Sequence, residues 1–303
     1  GLILWLQKKN WLYGIVLCTT GLFNIGWAMI TGNISAIEFL LFSLSAFLLH
    51  RNKINISVFL LGLMAGMKLI PILYLPAFLF LQTDIKNKIA TVSWSMLGFL
   101  SLPLLSLMTS PHLFPSYLRQ LFGLIPNQHT PFSEFTPNGL NPSLSIMLFS
   151  FFRIESQPES LNLIFSLIIY AFGIFVLYFI FKSSPKSSGT EINLKLFSVG
   201  IILLTIVMPR LKPYSFPPTL LCFYLLSREQ SNLIKSAYLI LLSIVPTFLH
   251  LIYFYTENID ILFENISPTF LANVLQTTLT FHQIVFLSIA SILLAIKLNK
   301  KVS

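Results

Sequence analysis

The stretch Gly62-Leu63-Met64-Ala65-Gly66-Met67-Lys68-Leu69-Ile70-Pro71 lies inside an apolar run from Ser57 to Leu81. Nearly every other lysine and arginine sits in a short hydrophilic break between apolar runs, whereas Lys68 sits in the middle of one. An ionisable residue at membrane depth is costly, is buried against protein, and commonly marks a polar site. Pro71 and the two glycines are residues that can open a backbone, so the stretch reads as a polar site inside a membrane protein.

The composition agrees. Of 303 residues, 55% are hydrophobic and 10% charged, and the mean hydropathy is +0.81. Runs such as 161–181 and 233–255 approach the ~20 residues that carry a helix across a bilayer. They do not alternate, which excludes the short strands of a membrane barrel. The expectation is an all-α, polytopic transmembrane helical bundle forming one integral membrane domain over 1–303. Apolar runs place spans at 11–30, 34–49, 89–108, 160–181, 233–255 and 277–296. Two shorter runs, 196–208 and 216–226, flank Pro209-Arg210-Leu211-Lys212-Pro213-Tyr214. Gly1–Leu6 reads as the end of a helix whose beginning, with a first outer loop, lies outside the sequence.

Cytoplasmic loops carry an excess of Lys and Arg. With Lys8-Lys9 placed inside, all but five of the 19 basic residues fall on that side, and those five are Lys68, Arg119, Arg153, Arg210 and Lys212. Of the 10 acidic residues only Asp84, Glu191 and Glu229 join the inner set. The formal charge of +9 is therefore a sidedness signal, and no nucleic-acid partner is expected. This map puts both flanks of 57–81 on the cytoplasmic side. Those 25 residues cannot cross twice, because each half rises only ~18 Å as helix. A re-entrant hairpin at 57–81 is expected, with Lys68–Pro71 at its tip and protein or a water-filled cavity around it. One tilted, proline-kinked span is the competing reading.

Arg210 and Lys212 are held between two prolines and followed by Tyr214. Two cations and a phenol at a membrane surface suit a phosphate group, bound by a planar guanidinium fork and a point charge. A plain headgroup anchor is the alternative. Glu38, one turn into 34–49, either complements the helix dipole behind an Asn33 or Ser35 cap or pairs with Lys68 across the bundle. The long outer loop 109–159 contains Asn141-Pro142-Ser143, where Asn141 would cap an amphipathic interfacial helix over 142–152. Cys18 and Cys222 read as buried thiols. His112 and His129 lack ligand spacing, so neither metal nor cofactor is expected.

The order Gly32-Asn33, then His50-Arg51-Asn52-Lys53, then Gly62 to Pro71 with Leu75-Pro76 and a basic loop resembles glycosyltransferase family 87. Asn141-Pro142-Ser143-Leu144 resembles that family's Asn-x-Ser-Leu stretch, and Pro209 to Tyr214 a late proline motif of some members. The resemblance implies a C-type membrane glycosyltransferase fold in a multi-pass cell membrane protein, as in a bacterial cytoplasmic membrane. It implies a polyprenyl-phosphate sugar donor, typically mannose, a lipid or glycan acceptor, and contact with membrane lipids. Lys68, Arg210, Lys212 and Tyr214 would then bind the donor phosphate, with Asn33, Glu38, Asn141 and Ser143 lining the site. C-type enzymes carry their catalytic acid in the first outer loop, so no residue of this sequence takes that role by motif. The family's late Trp and His residues have no counterpart around Pro209. A transporter or flippase built on a broken helix, and a non-catalytic membrane protein, are the competing functional classes.

Overall fold

The computed structural model describes residues 34–121, 143–152, 159–184, 190–209, 211, 216–227, 230–246, 248–249, 278 and 281–299. The expected span at 11–30 and the sites at Asn33, Asn141, Arg210, Lys212 and Tyr214 lie outside them. The fold is all-α, with no strand among the described residues. Helices α1 (Ser35–His50) and α2 (Ile54–Met67) precede a break at Lys68-Leu69, a 3₁₀ turn (Ile70–Tyr74) and α3 (Leu75–Leu81). Then come α4 (Ile85–Thr109), α5 (Phe114–Leu121), α6 (Leu144–Phe151), α7 (Glu159–Ser183), α8 (Thr190–Ile206) and α9 (Pro217–Ser227). α10 (Asn232–Leu239) continues into a π-helical turn (Ile240–Ile244), and α11 (His282–Asn299) follows.

Among the described residues two helices, Ile85–Thr109 and Leu161–Ser183, are long and apolar enough to cross a membrane. Only 22% of each apolar window is buried in protein, which sets them apart from the core helices of a soluble domain. Ile89, Leu97, Leu104 and Met108 on α4, and Ile168, Phe172 and Phe175 on α7, are exposed. So large an apolar surface needs a nonaqueous neighbour.

Packing partners give the path of the chain. α1 and α2 are antiparallel. At one end the Ser45 and Ser57 hydroxyls lie 2.8 Å apart and each donates to the other's carbonyl. At the other end Lys68 reaches Ser35. α2 and α4 are parallel, because Gly62 lies on Ser95 and Gly66 on Phe99 and Leu102. Two consecutive long helices can be parallel only if the chain between them has come back. The return leg is the 3₁₀ turn and α3. Leu73 meets Tyr170 and Phe80 meets Phe181, so this leg runs alongside α7. Tyr74 meets Thr205 and Ala77 meets Gly200, so it runs against α8. The out-and-back path matches the hairpin expected over 57–81, with its turn at Lys68. It also gathers Arg51, Lys53, Lys86, Lys88, Lys182 and Lys195 at one end of the bundle, away from Lys68.

The glycines act differently from the expectation that they open the backbone. α2 is continuous through both. They let two helix backbones touch, as small residues do between membrane helices. A Cβ at Gly62 would strike the Ser95 carbonyl, and one at Gly98 the backbone of Phe59 and Leu63. Pro103, inside α4, has no N–H for the Phe99 carbonyl four residues back. Gly66 packs on that freed carbonyl, 2.9 Å from where its own Cβ would be.

Helix ends also shift. α4 begins at Ile85, not 89, since extended Asp84 precedes it and Lys86 and Lys88 can project from its first turn. α8 begins at Thr190, where Glu191 and Lys195 form an i,i+4 ion pair at 3.4 Å. The loop 109–159 contains α5 and α6. α6 starts at Leu144 behind Ser143, two residues later than the expected start. It also turns its polar residues inward. Ser145 is buried, accepts a hydrogen bond from Ser166 of α7 at 2.6 Å, and shares another with Ser143. An interfacial amphipathic helix would face its polar side to water, so that expectation fails here.

Candidate functional site

The helix α2 stops at Met67 because Pro71 cannot supply an N–H to the Met67 carbonyl and its ring crowds the preceding turn. Lys68 takes an extended backbone, φ −160° and ψ 124°, and its amide still bonds the Met64 carbonyl. The side chain is thereby directed toward the start of α1. Its Nζ lies 3.5 Å from the Ser35 hydroxyl. Ser35 is the first residue of α1 and also hydrogen-bonds the Glu38 carboxylate, with which Lys68 interacts electrostatically. Ile34 occupies the cap position and no side chain caps the helix, so Ser35 serves the site and not the cap.

These groups line a narrow cleft with about 450 Å³ of atom-free space. Phe39, Phe42 and Met64 form its wall, Ile70, Pro71 and Tyr74 its hairpin side, and Pro217 and Pro218 its far edge. The structure thus brings Glu38 and Lys68 together. Glu38 Oε1 is buried and has no hydrogen-bond partner among the described residues. An acceptor in that state is a docking point for a donor group such as a sugar hydroxyl or an ammonium.

Ser143 lies elsewhere, fully buried in the serine cluster between α6 and α7 and off the cleft. Pro209, Leu211 and Phe216 are buried, and Pro217 and Pro218 edge the cleft. Among the described residues no group of three or more His, Cys, Asp or Glu could hold a metal ion.

Sequence reasoning missed Tyr74 and the Pro217-Pro218 edge. Tyr74 is 4% exposed, and its hydroxyl lies 2.9 Å from Thr205, which in turn accepts from Thr219 at 2.9 Å. A tyrosine in an apolar run needs a hydroxyl partner and is a signal for such a network. Which threonines answer it is a tertiary fact.

A second, larger groove adjoins the cleft. It holds about 1020 Å³ of atom-free space and is lined mainly by apolar residues, among them Ile34, Met67, Leu102, Leu105, Leu113 and Leu121. Ile34 and Met67 are the chain neighbours of Ser35 and Lys68, so the apolar groove and the charged cleft share a border. Tyr117 of α5 lines the groove and donates a hydrogen bond to the Gly66 carbonyl. Burial raises its phenol above the ordinary value, so the proton it donates stays in place at neutral pH.

An all-α membrane protein with a lysine–carboxylate cleft at a helix break is the class these features define. The sequence profile of glycosyltransferase family 87 matches residues 2–209. The chain belongs to glycosyltransferase family 87 and is a membrane glycosyltransferase. No curated protein and no solved structure matches it.

Proposed function

We propose that the protein transfers a sugar, mannose by family resemblance, from a polyprenyl-phosphate donor to a lipid or glycan acceptor outside the cytoplasm. In this reading it is a multi-pass protein of the cell membrane. Its cation-rich end, with Arg51, Lys53, Lys86, Lys88, Lys182 and Lys195, faces the cytoplasm by the positive-inside rule. Lys68 then lies in the outer half of the bilayer, level with Leu102 of α4.

The observation that carries the proposal is the shared border of a cationic cleft and an apolar groove. A polyprenyl phosphate is an anion on a long hydrocarbon and needs both environments side by side. Lys68 holds the donor phosphate as a point charge, and Arg210, Lys212 and Tyr214 complete that site. In transfer, the acceptor hydroxyl oxygen forms a bond to the anomeric carbon. The bond from that carbon to the phosphate oxygen breaks, its electron pair stays on the phosphate, and a base removes the acceptor proton. Lys68 stabilises the charge developing on the leaving phosphate, where a preorganised cation is most effective. Glu38 orients Lys68 and accepts a hydrogen bond from the donor sugar. No residue is assigned as the base.

The test is sugar transfer by the full-length enzyme in native membranes, with polyprenyl-phosphate mannose as donor. Lys68→Ala should lower transfer by roughly 10- to 100-fold, the value of a lost charge-assisted hydrogen bond of about 1.5–3 kcal/mol, at an unchanged level of folded protein. Full activity in that variant overturns the phosphate-site assignment. Activity of the wild type with a nucleotide sugar and none with the lipid donor overturns the donor class.

A further inference from the structure

The break at Lys68 leaves backbone carbonyls without helical partners, and tyrosine hydroxyls from other helices take their place. The Gly66 carbonyl would normally accept from the amide of Ile70, which lies beyond the end of α2. It accepts instead from Tyr117 of α5. The Leu73 carbonyl faces Pro76 three residues on, which has no N–H, and it accepts from Tyr170 of α7. A buried carbonyl without a partner is costly, so these bonds decide where the tip of the hairpin sits.

The two tyrosines differ in their surroundings. Tyr170 is 9% exposed inside the bundle, where the tip has no freedom to move it. Tyr117 belongs to an eight-residue surface helix whose Pro115, Ser116 and Arg119 face outward. A helix that short is not stable alone, so its docking depends on what it touches. Tyr117 is its hydrogen-bonded attachment to the backbone two residues before Lys68.

We propose that Tyr117 is a positioning residue for the donor phosphate: by bonding the Gly66 carbonyl it fixes Lys68 in the cleft and couples the docking of α5 to occupation of that cleft. This rests on the reading of Lys68 as a phosphate ligand. Coupling of this kind is reciprocal. Phosphate bound at Lys68 holds α5 down over the apolar groove, and a docked α5 raises affinity for phosphate. α5 then covers the hydrocarbon chain only when a headgroup is in place.

The experiment uses the full-length protein in lipid nanodiscs and a short-chain polyprenyl phosphate that carries no sugar. Tyr117→Phe keeps the ring and removes the hydroxyl. Its Kd for this probe should rise about tenfold, and its KM for the donor in parallel, with kcat within about twofold at saturating donor. A merely structural role would lower the folded fraction and leave the KM of the surviving enzyme unchanged. Tyr178→Phe, on the outer surface of α7, is the control and should leave both values alone. If Lys68→Ala binds the probe as well as wild type, the phosphate-site reading itself is wrong. If Lys68→Ala weakens binding and Tyr117→Phe does not, only the positioning role is overturned. Hydrogen exchange on the wild type decides the matter should Tyr117→Phe fail to accumulate. The probe should slow exchange in 66–72 and 113–121 together, and slowing confined to 66–72 overturns the coupling.

Discussion

Two apolar segments of similar length, 54–81 and 85–109, sit side by side and contain the same kinds of residue, glycine and proline included. One turns back at its middle and the other runs on as a single uninterrupted helix. Proline alone is not the difference. Pro103 sits inside α4, and the carbonyl it frees, that of Phe99, is met by the bare Cα of Gly66. In 54–81 two prolines, Pro71 and Pro76, fall within one short stretch beside Lys68. A continuous helix there would meet two missing amides and would hold an ammonium at a depth fixed by the helix. The broken form gives Lys68 a cleft with Ser35 and Glu38 and gives the freed carbonyls tyrosine partners. A proline bends or breaks a membrane helix according to what the neighbouring helices offer its orphaned carbonyl.

The largest effect expected from this comparison is all-or-none. In a background with Cys18 and Cys222 replaced, cysteines at Lys53 and Gln82 should both resist an impermeant thiol reagent in intact cells. A cysteine at Ser110, after the uninterrupted helix, should react. Reaction at Gln82 with protection at Lys53 would mean that 54–81 crosses the membrane and that the hairpin does not exist there.

Next in size is the contact between the two segments. Gly98→Leu places a side chain against the Phe59 carbonyl and the Leu63 amide. Overpacking typically costs ~1–3 kcal/mol, and backbone obstacles cannot rotate away. The monodisperse peak of detergent-solubilised protein in size-exclusion chromatography should fall at least severalfold. A normal peak for Gly98→Leu would show that α2 and α4 are not in backbone contact.

The smallest and most discriminating effect is the proline pair. Pro103→Ala restores an amide to a helix that is already continuous, so thermal stability should change by no more than ~1 kcal/mol and transfer should stay near wild type. Pro71→Ala restores one to the broken segment and favours extending α2 through Lys68. Transfer should fall by several-fold with no loss of thermal stability. Equal behaviour of the two variants in paired melting and transfer assays would remove the distinction drawn between them.

Much of this was legible in one dimension. Apolar runs and polar breaks carry the helical class, because a backbone in hydrocarbon must satisfy its own hydrogen bonds. Uneven basic charge carries the return of 57–81, because sidedness is written in the loops. Lys68 announces itself because its cost is local. The short motifs around Gly62, Lys68 and Pro71 carry the family. Other features needed the third dimension. Gly62 and Gly66 read as residues that open a backbone until a second backbone is found against them. Ser143 reads as lining the site and 142–152 as an interfacial helix until Ser145 meets both Ser143 and Ser166 in the interior. Glu38 reads either as a first-turn acid or as a partner of Lys68, 30 positions later, and the shared cleft is what brings the two together. Tyr117 and Tyr170 carry no signal in the sequence, and their hydroxyls gain a role only when they find the carbonyls that the break exposes. The division has one physical reason. Propensity, hydropathy and charge act along the chain and leave a periodic trace, whereas a small residue or a hydroxyl takes its meaning from an atom that only folding brings near.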